Sequence, residues 1–343
     1  QSIGVSSGCD QRWHFAAGYR PAVPQADGFI TMNPTLNRAL RIPPAYFVFV
    51  VLLATLWVTK PQLMNANVLG IFVRQVAPLG ILVLGQLLVM RVRSIDLSGA
   101  GVLLLINYLF ASGMLGDTPI VLMLLLSVCI GCVIGAFNGY LVAKRRVSAV
   151  IATLAITVIL SGLVQFLASG KPPGNMPALM NEAYKLKWGL LPAPVLVWVF
   201  LTALMAVFLS RFVFGRFIMA VGENPTASHF AGVPVARTVM IAHIIAGLFA
   251  ALAAIVQSAS VAVGSLRLGL EMPIDAVAAT ILGGVIFGRG DGGVWGPFFG
   301  VLCFALLFVV MTSFGVPEPG KQIARGLIIL LAAVFYGLST KNS

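Results

Sequence analysis

Long unbroken runs of apolar residues alternate along this chain with short polar stretches. The runs show neither the strict alternation of a half-buried strand nor a narrow amphipathic stripe. They lie at about 43–59, 67–90, 95–115, 119–142, 147–168, 192–211, 238–260, 273–288, 293–315 and 323–339. Most approach or exceed the roughly 20 residues that a helix needs to cross the hydrocarbon core of a bilayer. Transmembrane β-strands would be shorter and would alternate. The pattern predicts an all-α integral membrane protein of about ten transmembrane helices. The first run is short, and the eighth is short and Gly-rich, which predicts a bent or incomplete helix. The longest non-helical connections are expected at 169–191 and 212–237. Residues 1–42 are expected to form an N-terminal tail, partly flexible, with Met32 a candidate natural start. Residues 43–340 form one transmembrane domain interrupted by the polar loop 212–237.

Composition agrees. The chain is 59% hydrophobic and 9% charged, against about 25% charged in a soluble domain. Its net charge of +12 sits in short loops, where it orients a membrane protein and does not imply nucleic acid. With the amino terminus in the cytoplasm, the inner loops hold Arg38, Arg41, Arg91, Arg93, Lys144, Arg145, Arg146, Arg211, Arg216, Arg237, Arg289 and Lys341. The outer loops hold fewer: Lys60, Lys171, Lys185, Lys187, Arg267, Lys321 and Arg325. The excess of inner charge favours this orientation, and both termini are then cytoplasmic.

No catalytic set and no metal site emerges. There is no phosphate-binding loop of the G-x-x-x-x-G-K-[ST] type. Ser161 and His243 are not at a spacing that suggests a nucleophile and its base. Cys129 and Cys132 share a helix face without a nearby His or carboxylate, which suits packing. Uphill movement of a solute would therefore draw its energy from a partner or an ion gradient. Asp96 and Asp275 lie close to span starts, and Arg74 stands inside a span. Uncharged polar residues recur within spans, among them Gln75, Gln86, Asn107, Gln165 and Gln257. Each can hydrogen-bond between helices. Gln86, Asn107 and Gln257, with Arg74, are the candidates to line a path for a neutral, hydroxyl-rich solute.

Glycines 292, 296 and 300, spaced by four, predict a face on the ninth span for close helix packing. "GCVIGAFNG" (131–139) shares a pattern with "GGVWGPFFG" (292–300), and "IDLSGAGVL" (95–103) with "IDAVAATIL" (274–282). These pairs point to an inverted repeat of five spans, although their offsets differ.

In the polar loop, Asn224 before Pro225 reads as a helix N-cap and first turn, and Gly232 as a C-terminal glycine. Ala227, Phe230 and Ala231 then share one face. A helix this short is marginal alone. Its apolar face must dock on the protein's own rim, on the lipid interface or on a soluble partner.

The loop "VGENPTASHFAGV" resembles the cytoplasmic coupling motif of ABC importer permeases of the ribose/simple-sugar type. The resemblance continues through "GQLLVM" (85–90), "SIDLS" (94–98), "NGYLVAKRRVSAVIATLA" (138–155), "IAGLFAALAAIV" (245–256), "IDAVAATILGG" (274–284) and "GRGDGGVWGPFFG" (288–300). It covers nearly everything from about residue 43 onward. It implies a transport subunit in a bacterial inner membrane, not an enzyme. Its partners would be a cytoplasmic ATP-binding subunit carrying the ATP and Mg, a second permease subunit and a periplasmic solute-binding protein. Glu223, Asn224, Pro225, Ala227, Phe230 and Gly232 would form the contact with the ATPase. The solute implied is a small one, a monosaccharide. A permease for branched-chain amino acids or nucleosides is the alternative, and a standalone channel a more distant one. The family commonly has "GGIDLSVGS" where this chain has "RSIDLSGAG" (93–101), so Arg93 and Ser94 replace glycines. In a homodimer, Arg93 and its copy would repel across a two-fold interface, which favours two unlike permeases.

Overall fold

A computed structural model describes residues 43–341, other than 117, 172, 286, 289 and 291, with side chains of the last helix only up to 328 and at 330. The tail 1–42, with Met32, Arg38 and Arg41, lies outside the described residues, as do Arg289 and the side chain of Lys341. Every apolar run contains a helix. In chain order these are α1 (Pro44–Thr59), α2 (Ala66–Arg91), α3 (Gly99–Ala111), α4 (Ile120–Ala143) and α5 (Ala149–Ala168). A short α6 (Ala178–Lys185) precedes α7 (Ala193–Arg211), followed by α8 (Val213–Glu223), α9 (Pro225–Phe230) and α10 (Val235–Ser260). Then come α11 (Met272–Leu282), α12 (Trp295–Ser313) and α13 (Glu318–Lys341). Pro44, Pro194, Pro225 and Pro273 stand in the first turns of their helices, where the missing N–H costs nothing.

Six of these helices, α2, α4, α5, α7, α10 and α12, are long and apolar enough to cross a membrane. The protein is therefore a multi-pass membrane protein. Helices α1, α3 and α11 are shorter. The run at 95–115 yields only the 13 residues of α3, about 20 Å at 1.5 Å per residue. The cause is local: the Asp96 carboxylate accepts from the Ser98 amide at 2.8 Å and from the Ser98 hydroxyl at 2.6 Å. That turn holds 92–98 out of helix. The eighth run is incomplete, as its glycines suggest. Helix α11 stops at Gly283, and Gly284 follows with φ +86°.

The connections are more ordered than their polarity suggests. Segment 169–191 holds α6 and a hairpin of β1 (Lys187–Trp188) on β2 (Leu191–Pro192), turned through Gly189 at φ +62°. Segment 212–237 is mostly helix, α8 as well as α9. Among the described residues the fold is thus mainly helical with one small hairpin.

Helix α10 forms the centre, packed against α2, α3 and α4. The α4 contact is backbone on backbone. A side chain on Gly131 would collide with the Gly247 carbonyl, and one on Gly135 with the His243 carbonyl. Gly139 likewise faces Met240. On the other side, Gly296 and Gly300 of α12 meet the Gly283 and Ala279 carbonyls of α11. Gly292 is not on that face; it precedes the helix at φ +107°.

Gly135→Val is expected to push α4 off α10 and destabilise the protein by about 1–3 kcal/mol, lowering its melting temperature in detergent. Gly162→Ala, with nothing within 4 Å, is expected to leave that temperature unchanged.

Candidate functional site

Helix α9 is built as the loop's spacing predicts. The Asn224 side chain accepts from the Ala227 amide at 2.9 Å, and Pro225 opens the first turn. At the other end Gly232 takes φ +83°. Its amide bonds the His229 carbonyl at 3.0 Å, and the Val233 amide bonds the Ser228 carbonyl at 2.9 Å. This pair of bonds is a Schellman ending. Ser228 is the buried residue of the turn. Ala227, Phe230 and Ala231 face outward, and Phe230 is 85% exposed. Glu223, Asn224 and Gly232 are exposed beside them, and Pro225 is half-buried. Among the described residues, nothing covers this apolar face.

Arg93 reaches this loop from the end of α2. Its Nε donates to the Gly222 carbonyl and its Nη2 to the Glu223 carbonyl, each at 2.7 Å. These are the last carbonyls of α8, whose negative dipole end suits a cation. The backbone of Arg93 is left-handed, φ +62°, a conformation that glycine adopts most readily. The guanidinium is engaged inside its own chain. Its charge is not paired with an acid by these bonds, which go to neutral carbonyls.

Residues 94–98 hold a buried polar cluster. The Ser94 hydroxyl lies 2.8 Å from His243 Nε2 on α10. His243 Nδ1 faces Asp96 Oδ2 at 3.9 Å, beyond hydrogen-bond distance. Asn138 Nδ2 of α4 donates to the Ser98 hydroxyl at 2.8 Å, and Thr157 of α5 donates to the Leu97 carbonyl at 2.8 Å. The histidine thus pairs with Ser94, not Ser161. Ser94, His243 and Asp96 do not make a working hydrolase triad, because all three are buried in the helix core. Sequence spacing could not reveal this cluster, since 149 residues separate Ser94 from His243. The one signal in the sequence was the replacement of two glycines next to an Asp.

The four path candidates occupy different surroundings. Gln86 is buried within α2, and its Nε2 has no hydrogen-bond partner among the described residues. Asn107 is fully buried. Its Nδ2 donates to Ser258 Oγ at 3.2 Å, and its Oδ1 accepts from the Ser265 amide at 2.9 Å. It ties α3 to α10 and the loop after it. Arg74 lies 5.1 Å from the centre of the Tyr184 ring on α6. Burial pushes the Tyr184 phenol above its ordinary value, against the pull of the Arg74 charge. The phenol therefore stays a neutral donor, bonding the Arg74 carbonyl at 3.3 Å.

Gln257 lines a cavity of about 370 Å³ between α2, α10, α11, α12 and α13. Gln75, Asp275, Lys321 and Arg325 share its wall with Phe304 and Phe308. Arg325 Nη1 donates to Glu271 Oε2 at 2.6 Å, and Gln322 Nε2 to Glu271 Oε1 at 3.1 Å. Arg325 Nε lies 3.0 Å from Asp275 Oδ1, an ion pair without hydrogen-bond alignment. The lining is therefore partly charged, where the sequence pointed to uncharged groups. Those charges are largely spent on one another.

Comparison with known proteins agrees with this architecture. The chain is 27% identical over 312 residues to the ribose import permease protein RbsC of Haemophilus influenzae, covering 89% of this chain and 95% of the relative. Against RbsC of Escherichia coli it is 30% identical over 292 residues, 83% of this chain and 90% of the relative. The autoinducer 2 import system permease protein LsrC of an Enterobacter species is 30% identical over 302 residues, covering 88% of this chain and 87% of the relative. No solved structure matches the chain. Residues 68–333 match the family described as branched-chain amino acid transport system / permease component. With a membrane-spanning helical body, a capped surface helix and that match over most of its length, the chain belongs to this permease family.

Proposed function

We propose that this chain is the permease subunit of an ATP-driven importer and forms the translocation path for a small solute, a monosaccharide. The observation that carries this is the exposed apolar face of α9. A six-residue helix specified at both ends, with an aromatic side chain left in the open, is built for a partner's groove. The partner is a cytoplasmic ATP-binding subunit that supplies the ATP and Mg chemistry. Glu223, Asn224, Pro225, Ala227, Phe230 and Gly232 make that contact. A second permease subunit completes the path, and a periplasmic binding protein delivers the solute. ATP-driven closure of the partner biases the permease between inward- and outward-facing states.

The ten apolar runs make ten passes in a bacterial inner membrane, those of α3 and α11 completed by the irregular backbone beside them, and both termini are cytoplasmic. An inverted repeat is supported by the order of element lengths. The 26-residue α2 leads into a non-helical stretch, the 13-residue α3 and the long α4. The 26-residue α10 leads likewise into the 11-residue α11 and the long α12. Asp96 and Asp275 stand at the starts of the two short helices. The cavity lined by Gln257 lies among the outer ends of its helices and takes the solute there. Its mutually paired charges favour a neutral, hydroxyl-rich molecule over an ion. The relatives named for ribose import point the same way.

Co-expression with the ATPase and binding protein, followed by uptake into proteoliposomes, tests the function. ATP-driven accumulation of a pentose such as D-ribose or L-arabinose is expected, with little uptake of leucine. Purification of the solubilised subunit without any ATPase would sink the proposal, and leucine as the preferred solute would reassign it.

Phe230→Asp is expected to insert normally yet lose ATP-driven uptake, because a buried aromatic anchor contributes about 2 kcal/mol or more to such a contact. Undiminished uptake would argue against docking through α9. Gln257→Ala is expected to raise the KM for the solute about tenfold, the loss of a hydrogen bond of about 1.4 kcal/mol. Asn107→Ala should instead lower the melting temperature and leave KM unchanged, since its amide is used between helices.

A further inference from the structure

We propose that Arg93 is the strut through which α9 pulls on the membrane core, with residues 94–98 passing the displacement to α4, α5 and α10. The inference rests on the permease function proposed above and assigns the positioning residue that makes its loop effective.

At this end α8 meets the core through its buried Ile218 and Val221, through Gly222 and through the Arg93 side chain. Gly222 is wedged in: a side chain there would collide with the Arg91 carbonyl and with Gly290. Such a contact resists compression. It adds little resistance to separation, and the burial of Ile218 and Val221 holds α8 in place without fixing a direction. The two Arg93 bonds to the Gly222 and Glu223 carbonyls are directional and charge-assisted, so they resist being drawn apart. The guanidinium is planar and holds both acceptors in one fork, which fixes direction as well as distance. Glu223 is one peptide unit from Asn224, whose side chain caps α9. A movement of α9 away from the membrane therefore acts on the Arg93 fork almost at once.

Behind Arg93 the load divides. Ser94 bonds His243 of α10, Leu97 accepts from Thr157 of α5, and Ser98 accepts from Asn138 of α4. Asp96 ties Ser98 into the same turn. No residue of the segment needs to move far, since each is fastened to a different helix. The left-handed backbone at Arg93 is disfavoured for any residue with a Cβ. It sets the side chain off from the core and toward α8.

The test uses the complete importer in proteoliposomes, with D-ribose uptake and ATP hydrolysis measured in the same vesicles. Arg93→Met keeps the stem and the backbone preference but removes every donor. Arg93→Gly also removes the donors and relieves the positive φ, so it controls for strain. Both are expected to insert, to assemble with the ATPase and to hydrolyse ATP. Solute imported per ATP should fall about tenfold, within the range of coupling between sites. Arg93→Lys should restore part of the ratio through its charge and donors. A purely structural role would lower the melting temperature and the yield without moving the ratio, and that result would overturn the strut. So would wild-type ratios in Arg93→Met and Arg93→Gly. Wild-type vesicles that show no ATP-driven uptake at all would bring down the permease function and the strut with it. Coupled wild-type beside equally coupled variants would remove the strut alone.

Discussion

The close approach of α4 and α10 sets the rest of the architecture. Lipid offers no hydrophobic force between helices, so the helices associate through packing and interhelical hydrogen bonds. Glycines on α4 and Gly247 on α10 bring the two backbones together, each facing a carbonyl of the other. With α4 seated this low, the polar side chains of both helices come within reach of one short loop. Asn138 on α4 and His243 on α10 reach Ser98 and Ser94 only because nothing larger than hydrogen separates the backbones. The polar cluster is thus a consequence of the glycine seam.

Two half-length helices follow from the same economy of contacts. A helix that ends inside the membrane leaves backbone groups without partners unless something else supplies them. At the start of α3 the Asp96 carboxylate takes the Ser98 amide. At the end of α11 the Gly284 amide turns back to Ile281 and the Val285 amide to Thr280. Beside the start of α11, Arg325 pairs with both Glu271 and Asp275. Irregular backbone at that depth survives where protein or a polar cavity surrounds it.

Much of this was legible from residue order. The apolar runs gave the helices, because burial in lipid demands continuous apolar sequence. Asn224, Pro225 and Gly232 gave α9, because caps are local chemistry. Gly283 and Gly284 ended α11 where a Gly-rich run suggested an incomplete helix. Other features depend on distant partners and could not be read so. Helix α8 looked like a connection, because its polar and apolar residues make sense only once it packs under α2 and α10. Asn107 and Gln257 are the same kind of residue by sequence, yet one cross-links helices and the other lines a cavity. Arg93 reads in the sequence only as an added charge. Its partners are main-chain carbonyls 129 and 130 positions away, and carbonyls leave no trace in a sequence.

That last feature bears on how such a subunit can diverge. Arg93 grips the peptide backbone, so it is indifferent to the side chain at 223. Gly222 is fixed by the space around it, but Glu223 and the outward face of α9 are open to substitution. The exposed surface of α9 can therefore drift while the bonds behind it stay the same. A change at a handful of exposed positions alters what this face can bind and leaves the membrane body as it is.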